Sequence, residues 1–540
     1  MSRIVLEDLR VRYPREEDFA VRGISLTLEK GFILILGRSG SGKSTLGKVI
    51  SGVIPHVERA DVEGRVEVFG IVPWEERPSD LPRKVTYVPQ SPYDQVFSDT
   101  VMEEVLFVLE NLGIDDLDVG RRCLKLVGLD GMEDRRSDEL SGGQLQKLSI
   151  ACALALGSRV IVLDEPLAHL EPRSSRELMR VLVRLKSMGK TILLIEHRLR
   201  DVLPFCDQID EVVLLDEGRV VDVIPGGELH KRADMLSNLG IRLPANFRAS
   251  IYLKLDMRSP LDVSPLEKAL LSTNPVHRDC SAGKTVLEVE NVWASYGGGY
   301  VLRDISLRLR QGRVYVVMGP NASGKTTLLR VMTGFLKPKR GRIIAMGRTI
   351  RSVKDSSGIM GYVPQNSDLI LMFETVRREL EERAVRNGYT GSIEELADRL
   401  LISNLLDKNP HSLSRGQRFR VALAASLALN PKILLLDEPT TGQDEECIEA
   451  LGNVLREFVS SGGTAVVTTH DPDFALSYAD DCIVIENGEV RSQGPPGDVL
   501  SDDKLVSELN LAKPMILSTC QKLGLPPITE LELFGSVVRG

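Results

Sequence analysis

The stretch GFILILGRSGSGKSTLGKVISG, Gly31 to Gly52, is an apolar run, a glycine-rich turn and then a segment of helical period. Phe32 to Leu36, apolar throughout and bounded by glycines, has the length of a strand buried on both faces. The turn that follows has the spacing GxxxxGK[ST], and beyond it Leu46, Val49 and Ile50 recur as on one face of a helix. A strand that turns into a helix over glycines presents unpaired backbone N–H groups and the positive end of a helix dipole, which together cradle phosphate. The cradle comprises Gly37, Arg38, Ser39, Gly40, Ser41, Gly42, Lys43, Ser44 and Thr45. Lys43 is placed to reach β- and γ-phosphates, and Ser44 to put a hydroxyl on Mg2+.

The chain repeats this signal at GRVYVVMGPNASGKTTLLRVMTG, Gly312 to Gly334. Here the cradle is Gly319, Pro320, Asn321, Ala322, Ser323, Gly324, Lys325, Thr326 and Thr327, with Thr326 on the metal and Ala322 standing where Gly40 stands, a small-residue change the turn should tolerate. The downstream spacing marks a duplication. Ser141 of LSGGQ, Asp164 of VIVLDEP and His197 of LLIEH are matched by Ser414 of LSRGQ, Asp437 of ILLLDEP and His470 of VVTTH, each pair offset by 273 residues. A shorter match, NLGIRLP (Asn238 to Pro244) with ELNLAKP (Glu508 to Pro514), extends the repeat past both cores.

The expected fold is α/β, with two phosphate-loop domains in tandem, each with a mostly parallel sheet. The expected boundaries are residues 1–225 for the first domain, 226–284 for its extension and linker, 285–495 for the second domain and 496–540 for its extension. Residues Ile251 to Lys284, with Pro260, Pro265 and Pro275, read as an exposed connection. Asp164 and Asp437 end apolar strands, where a carboxylate can hold Mg2+, usually through water. Glu165 and Glu438, which follow them, are placed to orient or deprotonate an attacking water.

Composition narrows the alternatives. At 540 residues with 42% hydrophobic and 27% charged side chains, the chain is expected to fold as a multidomain globular protein. A net charge of −8 argues against a generic nucleic-acid binder, and none is expected as a partner. Seven scattered cysteines without a CxxC pair suit reduced thiols in a cytosol. The charged start MSRIVLEDLR lacks the apolar core of a signal peptide, and the longest apolar runs fall well short of the ~20 residues that cross a bilayer.

Leu140 to Gln144, LSGGQ, followed 23 residues after its serine by the aspartate of VLDEP, resembles the ATP-binding-cassette (ABC) family over nearly the whole chain. That resemblance implies a helical subdomain behind each signature, ATP and Mg2+ as cofactors, and a head-to-tail sandwich with two composite sites. One would pair the loop of Lys43 with Ser414, Gly416 and Gln417, and the other the loop of Lys325 with Ser141, Gly142 and Gly143, with Gln144 closing the first signature. By the same resemblance Gln90 and Gln365 sense Mg2+, His197 and His470 contact the γ-phosphate as part of the catalytic apparatus, and Tyr13 and Tyr296 stack on adenine. Two departures, Arg415 in the second signature and Glu171 where the second half has Asp444, imply unequal sites, neither of them dead.

The segment QSPYDQVFSDTVMEEVLFVLEN after Gln90 and the IEHRL context of His197 resemble energy-coupling-factor ATPases, which energise uptake of vitamins and transition-metal ions. This implies a peripheral protein on the cytoplasmic face of the cell membrane, one chain per transporter, serving transmembrane subunits and a substrate-binding membrane subunit. Tyr93, Asp94, Gln95 and Phe97 are the expected contacts to a transmembrane subunit. The competing expectation is a soluble tandem protein acting on ribosomes; the recycling type of that class carries grouped N-terminal cysteines for an iron–sulfur cluster, and the N-terminal residues here have none.

Overall fold

The computed structural model describes residues 3–14, 16–92, 95–114, 116–168, 170, 172–197, 199–273, 283–529 and 532–533. The chain divides into two compact units, residues 1–265 and 266–540.

In the first unit the apolar run Phe32–Leu36 is a strand whose five side chains are all fully buried. It lies inside a six-stranded sheet with the spatial order Val85–Val88, Val160–Asp164, Thr191–Glu196, Phe32–Leu36, Glu211–Asp216, Arg219–Ile224. The first five strands are parallel and only the last pairs antiparallel. Burial on both faces explains why these segments read as continuous apolar runs and not as alternating ones. A second, antiparallel sheet of Val21–Glu29, Arg3–Arg12 and Asp61–Val68 packs its apolar face into the same core, where Ile4, Leu6 and Leu28 meet Ile33, Ile35 and Leu46.

The second unit repeats the plan. Its six-stranded sheet runs Met360–Val363, Ile433–Asp437, Thr464–Thr468, Val314–Met318, Asp481–Glu486, Glu489–Gly494, again with only the last strand antiparallel. Each unit also carries a helical layer ending in the signature helix: Val101–Asn111, Leu117–Val127 and Gly142–Ala155 in the first, Val376–Asn387, Ile393–Arg399 and Arg415–Leu427 in the second.

The short match past the cores takes one form in both units. A residue of positive φ, Gly240 at 66° or Asn510 at 50°, turns the chain, and a proline, Pro244 or Pro514, caps a nine-residue helix, Ala245–Leu253 or Met515–Leu523.

The reading of 251–284 as an exposed connection needs correction over 251–273. The first of these helices continues to Leu253, and Ser264–Leu271 is a further helix that buries Leu266, Ala269 and Leu270. Pro265 sits in its first turn, where a missing N–H costs nothing, and buried Asn246 ties the intervening loop through Pro260 O and Asp262 O, each at 3.0 Å. Proline there starts a helix. Residues 274–282, with Pro275, lie outside the described residues.

Candidate functional site

In each unit the phosphate loop joins the central strand to a helix, Lys43–Ile50 or Lys325–Met332, and the glycine before that helix is left-handed, φ 95° at Gly42 and 106° at Gly324. The lysine ammonium folds back over its own loop. Lys43 Nζ donates to Gly37 O at 2.8 Å and Arg38 O at 2.7 Å, and Lys325 Nζ to Gly319 O and Pro320 O, both at 2.9 Å. Ala322 adopts φ 60° against 78° at Gly40, so alanine holds the left-handed conformation that glycine holds in the first loop.

The strand-end aspartates lie beside the loop hydroxyls. Ser44 Oγ donates to Asp164 Oδ1 at 3.0 Å, and Thr326 Oγ1 to Asp437 Oδ1 at 3.0 Å. The two carboxylates differ in their other partners. Tyr87 OH donates to Asp164 Oδ2 at 2.5 Å, whereas Asp437 Oδ1 takes a second bond from Thr468 Oγ1 at 2.7 Å. Asp437 Oδ2 is buried without a hydrogen-bond partner among the described residues. A hydroxyl beside a carboxylate oxygen in want of a partner is a hard-donor pair that fits Mg2+. Among the described residues no three or more His, Cys, Asp or Glu side chains group into a metal site, so a cation here would draw most of its ligands from phosphate and water.

Glu165 and Glu438 both have positive φ, 46° and 53°. Strained backbone of this kind, repeated at the same point of two copies, belongs to functional sites. Glu165 Oε2 accepts from Gln90 Nε2 at 2.9 Å, and its Oε1 lies 3.2 Å from His197 Nδ1. Glu438 Oε1 lies 3.2 Å from His470 Nε2, and the Glu438 N–H donates to Thr468 O and Oγ1. Burial pushes the Glu438 carboxyl up to about 7 and, with the Lys325 charge nearby, the His470 imidazole down to about 3. Burial likewise raises the Asp164 carboxyl, against the bonds from Tyr87 and Ser44.

The signatures are capping boxes. Gln144 N donates to Ser141 Oγ while Ser141 N donates to Gln144 Oε1, and Gln417 and Ser414 repeat the exchange. The serine therefore heads a helix of 14 or 13 residues. A Cβ added at Gly142 meets only Leu170, at 4.0 Å, so the matching position takes Arg415 without a clash; at Gly143 it would come within 2.9 Å of Ser174 Cβ. Glu171 lies outside the described residues.

Several predicted residues lie at the margin of these clusters or outside them. Tyr13 packs against the core with its hydroxyl 3.2 Å from Thr45 Oγ1, while Tyr296 is exposed and its hydroxyl accepts from Arg330. Gln365 is exposed. Gln95 turns inward to Tyr87 O at 3.3 Å, Phe97 is 79% exposed, and Tyr93 and Asp94 lie outside the described residues. Sequence reasoning passed over Tyr87 and Thr468, although both sit on the strands that carry the site, and over Glu196, buried beside His197, whose carboxylate accepts from Leu167 N at 3.1 Å.

The profile of the family described as ABC transporter matches residues 21–168 and 302–441. A protein of Methanosarcina mazei named as an ABC transporter ATP-binding protein is 32% identical over an alignment covering 99% of this chain and 96% of that protein. One of Saccharolobus solfataricus with the same naming is 33% identical, over 93% of this chain and 95% of that protein. Among solved structures, a chain from a model of ribosome-bound archaeal Pelota and ABCE1 superposes with a TM-score of 0.62 at 21% identity, over 93% of this chain and 80% of that one, a likeness of fold alone.

Proposed function

Because the chain belongs to the ABC transporter family and is a tandem ABC ATPase, we propose that it energises a membrane importer of energy-coupling-factor type, for a vitamin or a transition-metal ion. ATP is held at two composite sites, the loop of Lys43 facing Ser414, Gly416 and Gln417, and the loop of Lys325 facing Ser141, Gly142 and Gly143. What supports the pairing is that each signature serine is exposed at the head of a long helix, whose positive end suits a phosphate. The loop N–H groups and lysine bind the phosphates, Glu165 and Glu438 orient the attacking water, and His197 and His470 meet the γ-phosphate. Mg2+, held through Ser44 and Asp164 or Thr326 and Asp437 and sensed by Gln90 and Gln365, would neutralise charge developing on the phosphates.

One observation carries the coupling to a membrane partner. Shortly after each glutamine an apolar side chain stands in solvent, Phe97 at 79% and Met372 at 78% exposure. Both are held out by the same device. The carboxylate of buried Glu104 accepts the N–H groups of Phe97 and Ser98, and that of buried Glu379 those of Met372 and Phe373. A loop fixed by a buried charge so as to expose an apolar residue is built to meet another surface. No helix among the described residues is long and apolar enough to cross a membrane. Purification from native membranes in mild detergent should bring polytopic membrane proteins with the chain. Co-sedimentation with ribosomes in their place would overturn the importer reading, and salt separates the two, because phosphate-driven binding to RNA falls steeply with ionic strength.

A further inference from the structure

The second residue of the phosphate loop is Arg38 in the first half and Pro320 in the second. The hairpin turn that props each loop differs in step with it. In both units the turn glycine donates its N–H to the loop serine carbonyl, Gly218 to Ser41 and Gly488 to Ser323, each at 3.1 Å. Both turns have two successive residues of positive φ, Asn487 and Gly488 at 50° and 82° in the second half, Glu217 and Gly218 at 44° and 77° in the first. Asn-Gly is the preferred pair for such a hairpin, and glutamate has no local reason to occupy that conformation.

Glu217 has instead a partner across the loop. Arg38 Nη2 lies 3.1 Å from Glu217 Oε1, and Arg38 Nε lies 2.9 Å from Asp216 Oδ1. Arg38 also supplies one of the two carbonyls that hold the Lys43 ammonium, at 2.7 Å. Whatever sets the Arg38 backbone therefore sets the lysine that meets phosphate. In the second half Pro320 offers the equivalent carbonyl to Lys325 at 2.9 Å with its φ fixed by the ring.

We propose that Arg38 is a positioning residue, which with Asp216 and Glu217 locks the first phosphate loop electrostatically, as the Pro320 ring locks the second covalently, so that nucleotide binding to the first loop is the more sensitive to salt. The proposal rests on the reading that these loops bind ATP. The lock is half exposed, so its contribution is modest and open to screening.

The test uses the full chain carrying Lys325→Ala, so that methylanthraniloyl-ATP titrations report the first loop, with Lys43→Ala as the reciprocal. Arg38→Ala and Glu217→Asn are each expected to weaken binding about two- to fivefold at low ionic strength and to flatten the salt response. Together they should cost no more than either alone. Glu217→Asn should at the same time hold or raise the melting temperature, because asparagine suits the positive φ, so affinity and stability move in opposite directions. Arg38→Pro combined with Glu217→Asn, the pair found in the second half, should restore affinity without the salt response. Unchanged or tighter binding by Glu217→Asn, as expected if a released Arg38 touched the phosphates directly, overturns the proposal. So do additive losses, or Arg38→Ala binding like its parent. Wild-type chain that binds no nucleotide would remove the ATP reading itself.

Discussion

Tyr87→Phe removes one oxygen atom and nothing else, and that oxygen donates at 2.5 Å to Asp164 Oδ2, on a carboxylate 5% exposed at the end of the strand Val160–Asp164. A hydrogen bond to a charged group contributes about 1.5–3 kcal/mol. Asp164 keeps the bond from Ser44, so the lower half of that range, about 1.5–2 kcal/mol, is expected. The matching change in the second half is the control. Asp437 takes its second donor from Thr468, not from Tyr362, so Tyr362→Phe should cost at most about 0.5 kcal/mol. A chain of two units does not unfold in one step, so the assay is hydrogen exchange resolved by peptide. Protection over Val160–Asp164 should fall roughly 10- to 30-fold in Tyr87→Phe, by the conversion of about 1.4 kcal/mol per decade, while Ile433–Asp437 is unchanged. A loss below about threefold, or an equal loss in Tyr362→Phe, would refute the reasoning.

Glu165→Gln and Glu438→Gln should each leave partial ATPase activity and together reduce it by about 10²–10⁴, as for a lost general base; steady-state phosphate release checks this, and total loss from one change alone contradicts two working sites. Gly142→Ala should hold or raise stability by up to about 1 kcal/mol, whereas Gly143→Ala should lower it by about 1–3 kcal/mol, because only the second Cβ runs into Ser174 Cβ; thermal melts of the two variants should move in opposite directions. Cys206, Cys447 and Cys482 have thiols pushed up to about 12, chiefly by burial. The thiolate fraction at any pH below 9 is thus on the order of a thousandth of that of a free cysteine, and iodoacetamide should label these residues only after unfolding, with no gain between pH 7 and 9.

The framework was legible because it is written in local terms. A run such as Phe32–Leu36 is buried on both faces and states its own period, and glycines at Gly42 and Gly324 announce the left-handed turn that lets a strand become a helix. The duplication did the rest, since residues that are ambiguous singly recur at one offset. What the sequence concealed depends on partners distant in the chain. Tyr87 and Thr468 read as ordinary strand residues; only parallel pairing brings Tyr87 beside Asp164, 77 positions away, and Thr468 beside Asp437, 31 away. Pro260 and Pro265 read as a linker because proline marks a breach of structure in either case, and the buried Asn246 that organises that loop carries no sequence mark.

The two halves hold equivalent atoms by different chemistry. Asp164 is held by a phenol and Asp437 by a threonine; the loop after Glu165 is held by the carboxylate of Glu196, where the second half pairs the hydroxyls of Thr440 and Thr469 at 2.7 Å. Charged anchors recur in the first half, at Glu196 and at Arg38 with Asp216 and Glu217, and neutral ones in the second, at Thr440, Thr469 and Pro320. A charge-assisted bond is stronger than a neutral one and more dependent on the surrounding dielectric. The first phosphate loop and the turn after Glu165 are accordingly fixed by bonds that depend on the local dielectric, while their counterparts in the second half are fixed by neutral ones. This difference lies within each half and outside the signatures, and exchanging anchors, Glu196→Thr with Leu167→Thr in the first half, is expected to bring its ATPase behaviour toward that of the second; identical ATPase kinetics before and after the exchange would count against it.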